Sequence, residues 1–442
     1  MPASAPPPRQ MTDRAALAWI VYDWGHSAYG AVVHTFVMGV WFAREVWGAP
    51  QQGSAVWSWA VAAAGLGAAL AAPVAGAIAD RRGGLKPWLA VLTGLAALAA
   101  AGFWFVRPDR SAAPLALALV VAGGIAYELA LVFYNALLGP NAPPGSTGRL
   151  SGIGAGAGYV GGVACLGVAL VGFVGLGPDG GWLGLPSEEG TAVRAVGPLV
   201  AVWLVVFTLP ILAYSADPAR RGPPLPQAVR EGLGDLRRTL GDLLAAARRG
   251  RPEGRSLLRF YIASALYRDG LATLFAVGGL YAAGTFGFSV RHALAFGVGM
   301  SVATGIGAAV FAPLDDRLGP KRTLAIALWS SIAIGLPLLL VGDPAWFVAL
   351  GLGLGVMLGP IYAASRSLLV RLTDPAKAAG GFGLYALTGK ATAFVGPLTF
   401  GVLTSLFDSQ RVGMGVVVVL FAAGALILRG VEVPGRVPAA PH

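Results

Sequence analysis

The chain has 442 residues, of which 56% are hydrophobic and only 12% charged, with a formal net charge of +11 and a mean hydropathy of +0.69. Soluble domains are nearer 45–50% apolar and 25% charged, so the composition is that of an integral membrane protein with many spans. The positive charge could suggest nucleic acid, but the basic residues lie between apolar runs, where orientation in a membrane explains them better. The one cysteine, Cys165, excludes an intramolecular disulfide and a cysteine metal cluster.

In chain order, residues 1–10 are Pro/Ala-rich and polar, and no cleavable signal pattern follows. About twelve apolar spans come next: 15–46, 55–79, 87–106, 114–138, 150–176 and 193–214, then 257–284, 292–314, 323–341, 345–372, 380–406 and 412–428. The expected fold is all-α, with two six-helix bundles at 1–215 and 257–442 and a cytoplasmic linker at 216–256. Within the linker, Val229, Leu233, Leu236, Leu240, Leu243 and Leu244 recur at helical spacing among Arg230, Arg237, Arg238, Arg248 and Arg249. That pattern suits an amphipathic helix on an anionic membrane surface, and equally a solvated tether.

With both termini and the loops after even-numbered spans on one side, that side holds about 23 of the 32 basic residues. The positive-inside rule makes that side cytoplasmic, as expected for a plasma (inner) membrane protein of a bacterium. The halves also repeat. Asp80, Arg81, Gly83 and Lys86 after span two align with Asp316, Arg317, Gly319 and Arg322 after span eight, at an offset of about 236. A six-span repeat is a mark of secondary transporters, and Asp80, Arg81, Asp316 and Arg317 are candidates for a cytoplasmic gate.

Charges inside spans are costly and mark functional sites. Arg268 and Asp269 sit mid-span and adjacent, so on a helix they point apart; a buried structural ion pair is the alternative reading. In span one, Asp23, Ser27, Gly30 and His34 form a polar stripe with His26 beside it, a set suited to a proton relay. Glu128 and Asn135 share a face of span four, Arg366 lies in span ten, and Lys390 near the middle of span eleven. Three acids (Asp23, Glu128, Asp269) balance three bases (Arg268, Arg366, Lys390), a set able to receive a zwitterion such as an amino acid or short peptide.

No enzyme constellation occurs. The phosphate-binding loop GxxxxGK[ST] is missing, Gly152-Ile153-Gly154-Ala155-Gly156 falls within a span, and His26 and His34 are too far apart for a metal pair. No cofactor, metal or nucleic acid is expected. The expected partners are a small solute and membrane lipids, the expected state is a monomer, and H+ or another ion is the candidate driver.

The loop from Gly76 to Lys86 resembles that between spans two and three of the major facilitator superfamily. Tyr22-Asp23-Trp24-Gly25-His26-Ser27-Ala28-Tyr29 is similar to the opening signature of its vacuole-effluxer branch, named for the yeast autophagy-related amino-acid effluxer. Further matches are Phe133-Tyr134-Asn135-Ala136-Leu137-Leu138, Gly148-Arg149-Leu150-Ser151-Gly152 through Gly158-Tyr159, Tyr267-Arg268-Asp269-Gly270, Ser365-Arg366-Ser367, and Phe382-Gly383-Leu384-Tyr385 through Gly389-Lys390 to Gly396-Pro397. Two positions depart from the branch: Arg268 stands where a polar, uncharged residue is usual, and Leu138-Gly139-Pro140 where Leu-Pro usually follows. The resemblance implies a secondary transporter or facilitator of amino acids working by alternating access, with Tyr385 among the residues at its site. A receptor or lipid scramblase on the same fold is the competing reading.

Overall fold

The polar first span is the one whose helix is least regular. Arg14–Ala28 forms α1, Tyr29–Phe36 winds as π-helix, Met38–Trp41 is a single α-turn, α2, and Phe42–Val46 is again π-helical. Thr35 Oγ1 donates to Gly30 O at 3.0 Å, five residues back, a side-chain tie across the wider turn. The computed structural model describes residues 10–175, 181–186, 188–217, 222–249, 252–288 and 290–433.

The remaining helices are α3 (Pro50–Arg82), α4 (Lys86–Gly102), α5 (Ala113–Ala136), α6 (Leu138–Asn141), α7 (Thr147–Val168), α8 (Thr191–Arg194), α9 (Val196–Tyr214), α10 (Leu225–Arg249), α11 (Pro252–Phe286), α12 (Val290–Leu318), α13 (Pro320–Leu340), α14 (Pro344–Leu372), α15 (Ala378–Thr392), α16 (Val395–Phe407) and α17 (Gln410–Arg429). No strand occurs among the described residues. Ten helical stretches there are long and apolar enough to cross a membrane. The other two long stretches, 14–46 and α11, carry Asp23 with His26 and Arg268 with Asp269, and their polar residues dilute the apolar signal. With those two, the described residues hold twelve helical stretches of spanning length.

The helices form two compact units. One comprises the chain up to Ala72 together with Arg82–Gly222; the other comprises Pro73–Arg81 and the chain from Pro223 onward. The change of unit inside α3 falls at Pro73, which removes one backbone donor from the helical ladder.

Small residues set the packing in each unit. In the first, Gly154, Gly158 and Gly161 lie on one face of α7 against α1. A methyl group at Gly154 would meet the Trp19 ring, and one at Gly161 the Trp24 backbone. The core beyond is aromatic and branched, with Tyr29, Val32, Phe42, Trp57, Phe103 and Val196 among its buried members. In the second unit, Gly307 meets the Val356 backbone and Gly359 the Thr304 backbone, which brings α12 and α14 together.

Candidate functional site

In the first unit, three of the sequence motifs converge on α1. Trp19 Nε1 donates to Tyr134 O at 3.0 Å, and the two rings stack at 4.2 Å. Tyr22 stacks on the same Tyr134 at 4.9 Å and shares a 2.9 Å hydrogen bond with Thr93 of α4. Asp23 is buried against Gly158 of α7, where a methyl group would lie 3.1 Å from its carboxylate and 2.7 Å from Ser27 Oγ.

His26, 3% exposed, stacks face to face on Tyr127 of α5 at 4.1 Å, with Nδ1 3.3 Å from Tyr22 Oη. Its Nε2 has no hydrogen-bond partner among the described residues. The expected stripe holds for Asp23 and Ser27, which both face Gly158. His34 meets Tyr29 and Tyr127 edge-on, at 5.1 and 5.6 Å, and a methyl group at Gly30 would lie 2.9 Å from the Tyr127 hydroxyl, so both end beside the ring on which His26 stacks. The π-helical turns from Tyr29 onward change the angular step on which the stripe was drawn. Glu128 and Asn135 are both half-buried on α5, among buried Leu129, Ala130, Val132 and Phe133.

The second unit repeats this convergence on α11. Tyr267 Oη and Ser365 Oγ of α14 hydrogen-bond at 2.7 Å, joining two motifs. The half-buried Arg268 lies over the Tyr385 ring at 4.1 Å and donates from one terminal nitrogen to Tyr385 O at 2.5 Å. Gly389 makes room for the guanidinium, since a methyl group there would strike it. Tyr385 stacks in turn on Phe260 at 5.9 Å.

Asp269, 1% exposed, accepts the Gly396 N–H through Oδ2 at 2.9 Å, while Oδ1 has no hydrogen-bond partner among the described residues. Gly396 is the second residue of α16, so Asp269 caps that helix from another part of the chain and meets its positive dipole end. The apolar run 380–406 is therefore not one helix: α15 ends at Thr392 and α16 begins at Val395. Pro397, in the first turn of α16, has no N–H to satisfy and suits a helix start.

Arg268 and Asp269 form no ion pair with each other. Each is held by a different piece of the broken span, the base by Tyr385 of α15 and the acid by the N-terminus of α16. Lys390 on α15 and Arg366 on α14 are half-buried.

The two candidate gate residues on α3 meet different partners. Asp80 accepts from Ala379 N at 3.0 Å and from Gly380 N at 2.7 Å, capping α15. Arg81 makes a two-pronged contact with Asp235 of α10, one prong from its terminal nitrogen at 2.9 Å and the other from Nε, and lies 3.7 Å from Glu231. Those hydrogen bonds hold the Asp235 carboxyl below its ordinary value. Helix α10 lies with Gly232 against the Ala77 backbone and with Ala228 buried, so its acidic side docks on the end of α3. The side chains of Leu240, Leu243, Leu244, Arg248 and Arg249 lie outside the described residues.

Asp316 is half-buried and Arg317 exposed. The buried acid of that pair is Asp315, beside Ser367 and Arg371 of α14. Sequence reading missed Asp315, because the repeat drew attention to Asp316. It also missed Asp235 and Tyr127, for which no local pattern gives a signal.

A family model described as vacuole effluxer Atg22 like matches residues 144–437. The uncharacterized MFS-type transporter YxiO of Bacillus subtilis is 24% identical over 427 residues, 93% of each chain. Autophagy-related protein 22-1 of Sclerotinia sclerotiorum is 27% identical over 256 residues, 52% of this chain and 42% of that protein. The chain thus spans less than half the length of this fungal relative. Among solved structures, the Escherichia coli fucose:proton symporter FucP aligns with a TM-score of 0.72 at 15% identity, over 95% of this chain and 98% of that one. The human organic anion transporter MFSD10 aligns at 0.70 and 16%, over 94% and 99%. At such identities the likeness is one of fold, the major facilitator fold.

Proposed function

Because the chain belongs to the Atg22-like vacuole-effluxer family of major facilitator transporters, we propose that it moves a small zwitterion, an amino acid or short peptide, across the membrane by alternating access. The observation that carries this reading is the pair Arg268 and Asp269. They are adjacent, opposite in charge and held apart, with Arg268 half-buried and Asp269 Oδ1 without a partner among the described residues. A base and an acid fixed in separate directions suit a solute carboxylate and ammonium. Charge-assisted bonds of that kind contribute roughly 1.5–3 kcal/mol each, enough to select against a neutral analogue.

Glu128, Asn135, Arg366, Tyr385 and Lys390 complete the proposed solute site, with Asp23 and His26 as proton carriers. Asp80, Arg81, Asp316 and Arg317 act in the cytoplasmic gate. The basic-residue count supports cytoplasmic termini in a bacterial plasma membrane. The protein works as a monomer without a cofactor. Purified protein in liposomes should accumulate a labelled amino acid against its gradient when a proton gradient is imposed. A receptor or a lipid scramblase on the same fold would give no accumulation.

A further inference from the structure

A cavity of about 590 Å³ lies in the second unit, at the end where α11 leads into α12 and α13 into α14. That is within the roughly 300–1,000 Å³ of ordinary ligand sites. Its walls include Phe286, Phe288, Phe296, Pro344, Val348 and Leu352, with no polar side chain among its described lining residues. Local sequence builds it. Gly287, at φ +68°, ends α11 in a conformation that a side chain would strain, and Phe288 N–H turns back to Ala282 O at 3.3 Å. Two phenylalanines on either side of the turn thus become walls. Phe347 backs them, stacked on Phe286 at 4.3 Å and 5.1 Å from Phe296.

The surroundings say what fits. Trp346 and Leu340, 64% and 82% exposed, flank this end of the bundle, and exposed tryptophan is typical of the membrane–water interface. The opposite end of the same helices carries Arg317, Lys321 and Arg322. At the cavity, the Arg411 guanidinium stands 5.7 Å from the centre of the Phe286 ring and donates to Leu339 O at 2.9 Å, one of its five N–H donors. An oily cavity at interfacial depth with an arginine beside it matches an amphiphile with a hydrocarbon tail and an anionic head. An apolar cavity holds water poorly, so a chain from the adjoining leaflet is its natural filling. We propose that this cavity takes one acyl chain of an anionic phospholipid, with Arg411 at the phosphate.

The proposal is independent of solute transport and is read without it. The full chain is placed in nanodiscs containing phosphatidylglycerol with a photoactivatable group at the end of one acyl chain, irradiated, and mapped by peptide mass spectrometry. Adducts are expected on peptides covering 286–299 and 344–352, and are expected to be lost in Val348→Trp, whose ring fills the cavity. Ala345→Phe fills it from a neighbouring position should the first variant fail to fold. Arg411→Gln should keep the adducts but lose their excess with phosphatidylglycerol over phosphatidylcholine. Adduct yields in both filled variants as high as in the wild type would overturn the proposal. So would cavity peptides labelled no more than the exposed apolar face of α3 at Leu66 and Leu70.

Discussion

The Asp80 carboxylate accepts hydrogen bonds from the backbone of Ala379, 299 residues further along the chain, and of Gly380. One acid at the end of α3 therefore caps the first half of the broken span. Losing such a cap costs about 0.5–2 kcal/mol. Asp80→Ala should lower the thermal midpoint and speed amide exchange at the start of α15. On the gating proposal, it should also make cytoplasmic thiol probes react faster and extracytoplasmic ones slower. Unchanged exchange at Ala379 and Gly380 would count against the cap.

Arg81 and Asp235 make docking of α10 depend on pH. The Arg81 hydrogen bonds depress the Asp235 carboxyl below its ordinary value of 3.8. An acid depressed in the folded state contributes stability that is complete above its unfolded value, and that contribution is lost as pH falls through the folded one. Amide protection across the start of α10 should thus be flat from neutral pH down to about 4 and fall below that. The exposed pair contributes at most about 1 kcal/mol. Asp235→Asn should give weak protection at every pH; a wild-type profile in that variant would break the link.

Much of this was legible before the structure. The helical spans follow from hydropathy, and Tyr22-Asp23 and Tyr267-Arg268-Asp269, singled out as polar groups inside spans, are where groups from distant parts of the chain meet in the structure. What stayed hidden was of two kinds. The break between α15 and α16 had a signal in Pro397, overridden by the continuous apolar run. The partners of Asp80, Arg81 and Asp269 lie 127 to 300 residues away, and no local pattern encodes pairings at that range. The π-helical turns after Ala28 likewise leave no mark in the residue pattern.

The packing of α1 on α7 predicts a contrast within one helix. Gly161 meets the Trp24 backbone, while Gly167 has nothing near it. Gly161→Ala should force the helices apart and cost about 1–3 kcal/mol. Gly167→Ala should be neutral or gain up to about 1 kcal/mol from helix propensity. Equal thermal midpoints for the two variants would contradict the assigned contact.

Asp269 has a structural part and a proposed functional part, which two substitutions separate. Asp269→Asn retains an oxygen for the Gly396 N–H, so its thermal midpoint should stay near that of the wild type, whereas Asp269→Ala loses the cap and should lose about 1–3 kcal/mol of stability. As the proposed ammonium ligand, Asp269→Asn should also lose uptake driven by a pH gradient and exchange at equal pH together. Full pH-driven uptake in a stable Asp269→Asn variant would reduce this residue to a helix cap.

The most direct test of the central claim is competition for uptake into proteoliposomes of the purified protein. Labelled amino acid is offered with an excess of the same amino acid, of its carboxamide, or of its N-acetyl derivative. The pairing of Arg268 with a carboxylate and Asp269 with an ammonium predicts that only the unblocked zwitterion competes well. Equal competition by the blocked forms, or uptake of a sugar or nucleoside with none of any amino acid or short peptide, would contradict it.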